Sequence, residues 1–423
     1  MLTSFLGAEN SIAIAGSGLA AAAMAIQLLN YGFRPFLLDR QLPRIGGIEA
    51  IPLAALRLFD TLELTPILET AGGVWVEGFE NAWQENEPIT HPGNYIHVER
   101  TSLARQAIAT AVRRGATLVY CNTTPHLHQK QDCISVIING VEENFAAAVD
   151  ATGRSAIWSR PTRYFNREIA DIYSTECYDC HDRGRITQIR GGWAYRLGKR
   201  GLITVGVVTS DTANRGQIND QVQEKLSLPL TTKCSLVGRR FASPQWAEEA
   251  IMGRRLAIGD AALAFSPIAG QGIRFALSSA LAGAAVVHTW RDLPENLDCT
   301  LEFYRTLVNG ERQKHLKIVN SFYENQPVTS SNNAVLPSII HYSGKTIQTG
   351  IYIDGLIQPQ EAIEDGDGNM LRWLGRFDLL SLQDLCKMPL PTVSLIEQLQ
   401  FYQLSQAEAI SLIKWCLQQK ILS

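Results

Sequence analysis

Residues 11–39 read SIAIAGSGLAAAAMAIQLLNYGFRPFLLD, and this stretch decides the fold. An apolar run at 11–15 ends in glycines, residues 19–29 are alanine-rich and helix-forming, and residues 35–38 are apolar again. A strand, a helix and a second strand in this order predict a βαβ unit. Because such units build parallel sheets, we expect an α/β protein that begins with a Rossmann-like domain.

A glycine motif lies between the first strand and the helix. Gly16 permits a tight turn, and Gly18 lets the backbone approach a pyrophosphate whose charge the helix start favours. Asp39 ends the next strand, 21 residues after Gly18, where it can accept a hydrogen bond from a ribose hydroxyl. The same pattern also occurs as an ordinary turn in α/β proteins, and it does not distinguish NAD from FAD. The expected contacts are Gly16, Gly18, Leu19, Ala20, Asp39 and Arg40.

A second motif, RLAIGDAA at residues 255–262, precedes Pro267 and a Gly-Gln-Gly turn at 270–272. A strand that ends at Asp260 places this carboxylate beside the sugar-alcohol chain of a flavin. The amides of residues 270–273 then point to the pyrimidine edge of the ring, where a helix start stabilises negative charge. The alternative is an Asp cap and a glycine turn before a core helix. The expected flavin contacts are Gly259, Asp260, Gly272 and Ile273.

The paired motifs resemble those of flavin monooxygenases of the hydroxybenzoate-hydroxylase type and of tryptophan-halogenase-like flavoproteins, over residues 10–320. The sequence DATGR at 150–154 is similar to the middle glycine motif of these proteins, which implies that Gly153 borders the cofactor. Arg100 matches their arginine that starts a helix and contacts the flavin, although a surface charge at a helix start explains it equally. The resemblance therefore implies FAD.

A finer resemblance lies in GIEAIP at 47–52, in Trp83 before acidic residues, and in QGI at 271–273. These pieces are similar to flavoproteins that oxidise a tryptophan of a precursor protein during quinone-cofactor maturation. The implied function is an FAD-dependent monooxygenase that hydroxylates an indole or phenol ring, with a peptidyl tryptophan as one candidate, through a flavin hydroperoxide.

The resemblance implies no side-chain nucleophile, so the flavin-side loop takes the catalytic role. The residues expected in this loop are Pro267, Gly270 and Gln271. An aromatic substrate pocket is expected from Trp83, Trp193 and Tyr195, whose alternative reading is sheet-packing core. No second GxGxxG motif is present, so electrons come from transiently bound NAD(P)H or from a partner flavin reductase.

Two other functions stay open. Flavin-dependent tryptophan halogenases carry the signature W-x-W-x-I-P, whereas residues 192–197 read GWAYRL, and residues 41–128 contain no Lys for the catalytic position of those enzymes. Halogenation is therefore the second enzymatic hypothesis. A non-catalytic flavoprotein or maturation factor that binds a partner protein through its C-terminal region is the third.

The changes of pattern along the chain predict three domains. A discontinuous FAD-binding domain is expected from residues 1–45, 96–163 and 250–323. An inserted, mainly antiparallel sheet domain for the substrate is expected from residues 46–95 and 164–249. Residues 331–423 show helical spacing at 394–402 and 405–419, which predicts a small helical appendage with a winged-helix-like form as one option. Residues 324–350 are rich in Asn, Ser, Thr and Gly and predict a linker or exposed loop.

Composition limits the partners. With 38 basic and 41 acidic residues the net charge is −3, without the basic excess that recruits nucleic acid or anionic lipid. The apolar stretch at 12–29 has no preceding Lys or Arg and contains glycines, so we expect neither a signal peptide nor a membrane span. We therefore expect a cytoplasmic protein.

Eight scattered cysteines are then expected to be reduced, without disulfides. CYDCH at 177–181 fits the pattern for covalent haem, but that attachment needs export, so a thiol pair near the substrate or plain strand residues are expected instead. His126 and His128 are expected in a polar loop, and no metal site is expected.

Overall fold

The computed structural model describes residues 8–83, 89–130, 133–159, 161–164, 168–210, 218–323 and 336–423. The chain forms two compact units, residues 1–284 and 285–423. The helices that begin in the first unit are α1 (Leu19–Asn30), α2 (Leu53–Thr61), α3 (Thr65–Thr70), α4 (Arg100–Arg113), α5 (Asp220–Lys225) and α6 (Gly272–Asp292). Its strands are β1 (Ser11–Ala15), β2 (Arg34–Asp39), β3 (Ile48–Pro52), β4 (Val74–Ala82), β5 (Ile89–Glu99), β6 (Thr117–Tyr120), β7 (His126–Gln129), β8 (Ile134–Ile138), β9 (Val141–Phe145), β10 (Ala147–Asp150), β11 (Pro161–Tyr164), β12 (Ile169–Glu176), β13 (Gly184–Ile189), β14 (Gly192–Lys199), β15 (Leu202–Thr209), β16 (Ser235–Phe241), β17 (Gln245–Ala247), β18 (Ile251–Met252), β19 (Arg255–Ala257) and β20 (Leu263–Ala264).

Six strands form a mainly parallel sheet in the order β18-β19-β10-β1-β2-β6, with β18 antiparallel to β19. All five residues of β1 are buried between β10 and β2, as an uninterrupted apolar strand requires in a sheet covered on both faces. A three-stranded meander, β7-β8-β9, packs on one face of this sheet. The βαβ unit predicted for residues 11–38 is confirmed as β1, α1 and β2.

Eight strands form a second, mainly antiparallel sheet in the order β16-β12-β15-β14-β13-β4-β5-β3. The sheet curls, so that β3 and β5 approach β14. Since side chains alternate along a strand, Trp193 and Tyr195 of β14 lie on one face, which we call the Trp193 face. The opposite face carries an apolar cluster from β12, β14 and β15, on which α5 packs. The strands predicted at 192–197 and 202–208 are confirmed as β14 and β15.

The two sheets follow the predicted division of the chain closely. The strands of the parallel sheet fall in residues 1–45, 96–163 and 250–323, and those of the curled sheet in residues 46–95 and 164–249, except that β5 runs across the boundary at 95–96. The domain boundaries themselves stay a prediction.

The second unit contains α7 (Leu297–Tyr323), β21 (Ile339–Ile340), β22 (Lys345–Ile353), β23 (Leu356–Glu364), β24 (Met370–Leu371), β25 (Trp373–Leu374), β26 (Phe377–Asp378), α8 (Ser381–Leu385), β27 (Leu390–Pro391), α9 (Thr392–Phe401) and α10 (Gln406–Gln418). The predicted helices at 394–402 and 405–419 are confirmed as α9 and α10. Ser405 caps α10 in a reciprocal capping box with Glu408. The winged-helix-like form stays a prediction.

Three sequence predictions are wrong. The linker predicted for 324–350 contains the short strand β21, which pairs with β27, and from Lys345 the start of β22, which pairs with β23 over nine consecutive residues; residues 324–335 lie outside the described ranges. His126 and His128 lie in β7, which pairs with β8, and not in a loop. Cys177 and Cys180 form a disulfide, because a tight turn brings their Cα atoms to 5.5 Å, within the range that a disulfide spans.

Two observations concern membranes and metals. No helix in the described ranges combines the length and the apolar composition needed to cross a bilayer. Among the same residues no group of three or more His, Cys, Asp or Glu side chains is arranged to hold a metal ion.

Candidate functional site: a glycine-lined cradle

Gly16 directly follows β1 and has a backbone conformation that only glycine adopts easily. Its φ is +113°, and a Cβ atom there would lie 2.4 Å from the carbonyl oxygen of Ala151. Its N–H donates to the carbonyl of Leu38 at 2.9 Å. The first glycine motif therefore packs directly on the middle motif at the carboxyl ends of β1, β2 and β10, where parallel sheets bind their ligands.

Gly18 faces open space. A Cβ atom at Gly18 would meet no other atom within 4 Å. Gly18 is also the N-cap of α1, has no side chain to bond the first-turn amides, and is followed by no acidic residue in that turn. The amides at Leu19 and Ala20 thus begin a helix whose positive end borders free volume.

Asp39 lies beside this turn at the end of β2. Its Oδ1 accepts a hydrogen bond from the Gln41 N–H at 2.9 Å, and its Oδ2 lies 3.7 Å from Arg44 Nη2. The same nitrogen of Arg44 donates to the Ser17 carbonyl at 3.0 Å and to Ser17 Oγ at 2.6 Å. Arg44, which the sequence analysis missed, therefore links Asp39 to the glycine turn, whereas Arg40 is exposed.

The third motif packs against the first. Gly259 has a φ of +56°, and a Cβ atom there would lie 3.1 Å from the Cβ of Ala20. Its N–H donates to Ser279 Oγ of α6 at 2.9 Å. Asp260 comes next, half-buried, and interacts electrostatically with Arg154 and Arg240.

The flavin-side loop ends in a second open helix start. Pro267–Ala269 forms one tight helical turn, Gly270 has a φ of +59°, and α6 begins at Gly272. A Cβ atom at Gly270 or Gly272 would meet no other atom within 4 Å. The Gln271 carboxamide oxygen accepts from Arg274 Nη2 at 2.8 Å, which orients that side chain. The amides at 270–273 therefore border free volume, as they do at Gly18.

Arg100 begins α4 and contacts the start of β3. Arg100 Nη1 lies 2.9 Å from Glu49 Oε1, and its N–H donates to the Gly47 carbonyl at 2.9 Å. Glu99 caps the helix by accepting from the amides of Thr101 and Ser102. Burial raises the pKa of Glu99, but the hydrogen bonds from Thr101 and Ser102 outweigh it and hold the pKa below the ordinary value. The cap thus fixes where Arg100 stands.

The middle motif is organised by two charged side chains. The buried Asp150 carboxylate accepts from the amides of Thr152, Trp158 and Ser159, which shapes the turn after β10. Gly153 has a φ of +63° and open space beside it. Arg154 donates to the carbonyls of Ser243 and Phe265, both at 2.6 Å, and burial lowers its pKa. Arg154, which was also missed from the sequence, ties this turn to Phe265, two residues before the flavin-side loop begins at Pro267.

Trp193 and Tyr195 lie together on the Trp193 face. Their ring centroids are 5.8 Å apart, and the side chains are 1% and 9% exposed. The Tyr195 ring packs against Gly206, where a Cβ atom would be 2.0 Å from the ring. Trp83 is buried one residue beyond β4, and the acidic residues that follow it lie outside the described ranges. The structure thus shows Trp193 and Tyr195 as packed residues, and their contact with a substrate stays a prediction.

Arg240 connects these aromatic residues to the cradle, by which we mean the glycine turns at residues 16–20, 150–154, 259–260 and 270–273 together with Asp39. It donates a hydrogen bond to the Tyr195 hydroxyl and interacts electrostatically with Glu49 and Asp260. Burial lowers the pKa of Arg240, but Tyr195 and the two carboxylates outweigh burial and raise the pKa above its ordinary value. Strand alternation is the signal that leads to Arg240, because neighbouring residues of a strand point to opposite faces of the sheet. Arg239 pairs with Asp171 on one face of β16, so Arg240 points to the other face.

Comparison with known proteins identifies solved structures that share the fold of this chain. No protein-family model and no curated sequence matches the chain. Among solved structures, the peptidyl tryptophan dihydroxylase QhpG, essential for tryptophylquinone cofactor biogenesis, aligns over 97% of this chain and 99% of its own with a TM-score of 0.72 and 18% identity. The flavin-dependent halogenase CmlS aligns over 100% and 96% with a TM-score of 0.79 and 15% identity. The myxobacterial FAD-dependent chondrochloren halogenase CndH aligns over 76% and 84% with a TM-score of 0.65 and 18% identity.

The chain has the fold of these flavin-dependent enzymes. We call it the flavin hydroxylase–halogenase fold. The predicted fold class, a parallel-sheet α/β domain with an inserted antiparallel sheet and helices near the C-terminus, is confirmed. The resemblance drawn from the glycine motifs is confirmed at the level of this fold.

Proposed function

We propose that the protein is an FAD-dependent monooxygenase that hydroxylates an aromatic ring, with a peptidyl tryptophan as the first candidate substrate. The observation that carries the proposal is the convergence of three glycine motifs on one cradle. Gly16 packs on Ala151 and Gly259 packs on Ala20, while Gly18 faces open space. Such open positions at two helix starts suit a ligand with a pyrophosphate and a second electron-rich group.

The residues present fit FAD. The first turn of α1 would hold the pyrophosphate, Asp39 the ribose, and Asp260 the sugar-alcohol chain. The amides at 270–273 would face the pyrimidine edge of the ring, and Arg100 would contact the flavin. NAD alone would use the α1 turn and leave the α6 start without a ligand. A Cβ atom at Gly259 would lie 3.1 Å from the Cβ of Ala20 in α1 and 3.7 Å from the Cα of Ala276 in α6, so the first turns of both helices lie beside one residue, which favours FAD.

The chain's own residues would bind the cofactor, orient it towards the substrate, and exclude water. FAD, when bound, supplies the oxygen chemistry, so no side-chain nucleophile is needed. The start of α6 would stabilise negative charge on the reduced ring, and the loop of Pro267, Gly270 and Gln271 would form the wall beside it. Arg240 would add a positive charge, held in place by Tyr195. The aromatic substrate would enter along the Trp193 face.

A halogenase is the second candidate, because CmlS and CndH share the fold. Against it stand the single tryptophan in residues 192–197 and the absence of Lys from residues 41–128. A hydroxylase and a halogenase both use reduced FAD and oxygen, so products distinguish them. Chloride or bromide in the product supports the halogenase, and an added oxygen atom supports the hydroxylase.

The substrate proposal rests on QhpG, which acts on a peptidyl tryptophan and aligns over nearly the whole chain. The electron source that we propose is NAD(P)H or a partner flavin reductase. A decisive experiment supplies the FAD-loaded protein with each donor, with bromide, and with either a tryptophan-containing peptide or free indole or phenol. Oxygen uptake and product masses are measured. Incorporation of oxygen from labelled O₂ supports the proposal, and a protein that fails to bind FAD, or binds it without turnover on any aromatic tested, contradicts it.

A further inference from the structure

The Cys177–Cys180 pair is the motif that the proposed function does not use. It lies directly after β12, which ends at Glu176. Arg240 pairs with Ala170 near the other end of this strand, so the cysteines are seven or more residues further along it. At about 3.3 Å per strand residue this is roughly 20 Å. The pair is therefore remote from the cluster around Arg240.

The turn that carries the cysteines is held by its neighbour, the turn between β14 and β15. The Cys177 N–H donates to the Gly201 carbonyl at 2.7 Å. The Gly198 N–H donates to the Asp182 carbonyl at 3.2 Å, and the Arg200 N–H donates to the Asp182 carboxylate at 3.0 Å. These bonds do not involve sulfur. Reduction of the disulfide therefore removes none of these hydrogen bonds.

Glycine makes this packing possible. A Cβ atom at Gly201 would lie 2.4 Å from the Tyr178 ring, so the ring of the residue after Cys177 packs directly against this glycine. A Cβ atom at Gly198 would lie 2.7 Å from the Cα of Asp182. The turn 177–182 and the turn 198–201 therefore form one close-packed pair whose contacts do not depend on the disulfide bond.

A structural role explains the cross-link poorly. Only two residues separate Cys177 from Cys180. Because the stabilisation from a disulfide grows with the length of the closed loop, a ring this small restricts the unfolded chain less than a long-range bond does. The bond also joins residues that backbone hydrogen bonds already hold.

The two sulfurs differ in access. Cys177 is 8% exposed and belongs to the apolar cluster under α5, whereas Cys180 is half-buried at its edge. Tyr178, between them, is 80% exposed, so the turn itself is open to solvent. A small thiol or peroxide can therefore approach Cys180, while Cys177 is shielded.

We propose that Cys177 and Cys180 form a reversible dithiol/disulfide site that responds to hydrogen peroxide and to small thiols. In oxidation, the Cys180 thiol loses its proton, and the thiolate attacks peroxide and displaces hydroxide, which takes up that proton and leaves as water; Cys180 is then a sulfenic acid. The Cys177 thiol attacks this sulfur, the disulfide forms, and a second water leaves. In reduction, a small thiol attacks Cys180, and Cys177 leaves as the thiolate and takes a proton. A second small thiol then attacks the sulfur of the first, Cys180 leaves and is protonated, and a small-molecule disulfide is released. Peroxide is reduced in the first direction and the thiols are oxidised in the second.

Digestion with trypsin places Cys177 and Cys180 in one peptide and Cys234 in another, so the oxidation state of the pair can be measured by mass. Cleavage after Arg167 and Arg183 gives one peptide, residues 168–183, that contains both cysteines, and cleavage after Lys233 and Arg239 gives CSLVGR with Cys234 alone. The full-length protein is treated with dithiothreitol, then with hydrogen peroxide, and labelled with N-ethylmaleimide under denaturing conditions at each stage. We expect peptide 168–183 to take two labels after dithiothreitol and none after peroxide, when it is two hydrogen atoms lighter than the dithiol.

The variants assign the reaction to this pair. Cys180→Ser should leave Cys177 able to take one label and unable to form the light peptide. Cys234→Ser, which changes a cysteine at the edge of the same cluster, should keep the full cycle, and Cys133→Ser serves as a distant control. Far-UV circular dichroism should be unchanged between the oxidised and reduced wild type. Two labels persisting through peroxide, oxidation to sulfinic acid, or loss of the cycle in Cys234→Ser would each overturn the proposal.

Discussion

Gly16 and Gly18 belong to one motif but have different surroundings, so alanine should affect the stability of the fold at Gly16 and the binding of FAD at Gly18. Gly16 has a positive φ and no room for Cβ beside Ala151, whereas Gly18 has open space. We expect Gly16→Ala to destabilise the fold by at least about 1–3 kcal/mol from the backbone strain alone. Gly18→Ala should keep its unfolding midpoint and bind FAD about tenfold or more weakly, because the methyl group enters the space proposed for the pyrophosphate. Urea unfolding of the apoprotein and FAD titration measure the two effects. Equal losses of stability in both variants would contradict the assignment.

Arg240 offers a test of charge at the cofactor. Its guanidinium interacts electrostatically with Asp260 and donates a hydrogen bond to the Tyr195 hydroxyl. Removing this charge in Arg240→Gln should disfavour the reduced, negatively charged ring by about 1.4 kcal/mol, or roughly 30 mV for two electrons. Arg240→Lys keeps the charge and should keep most of the potential, and Tyr195→Phe removes only the hydroxyl. Spectroelectrochemistry of the bound FAD measures the shift. A potential that is unchanged in Arg240→Gln would place the charge away from the ring.

At the scale of elements, β5 meets the end of β14 through a buried histidine. His97 is fully buried, and its Nδ1 lies 2.7 Å from the Gly198 carbonyl oxygen, to which a protonated Nδ1 donates. Burial lowers the pKa of His97 below its ordinary value of 6.5, although Gly198 and Asp182 oppose the shift. The unfolded chain therefore binds this proton more readily than the folded chain does, and its contribution favours folding fully above about pH 6.5.

The pH dependence follows with a definite sign. As pH falls from about 6.5 toward the lowered pKa of folded His97, the unfolding free energy should fall. His97→Gln should be less stable at neutral pH but should lose stability less steeply between pH 7 and pH 5 than the wild type. His126→Gln changes an exposed histidine and should follow the wild type. Chemical unfolding at a series of pH values measures the slopes, and parallel curves for His97→Gln and the wild type would refute the role of this residue.

The elements also show where sequence reasoning succeeds. The strand at residues 11–15 and the helix at 19–29 were predicted almost to the residue, since an apolar run, a glycine turn and an alanine-rich helix are local signals. The strand β22 was missed because its Thr, Gln and Gly content suggested a loop, while its partner β23 lies beyond it in the chain. Arg44, Arg154 and Arg240 were missed for a related reason. Their partners, such as Ser17, Ser243 and Tyr195, become neighbours only through the fold.

At the scale of the whole molecule, all residues assigned to the cradle fall between Gly16 and Ile273, inside the first compact unit. Ligand binding to the folded state stabilises it by mass action, by about 2.7 kcal/mol when free FAD is 100 times its dissociation constant. Hydrogen exchange with and without FAD should therefore show new protection in peptides from residues 11–39 and 255–273. Gly18→Ala at the same FAD concentration should show less protection in both stretches, because one ligand spans them. Protection at 11–39 without any at 255–273 would indicate a nucleotide that occupies only the α1 turn, and protection confined to residues 285–423 would contradict the cradle altogether.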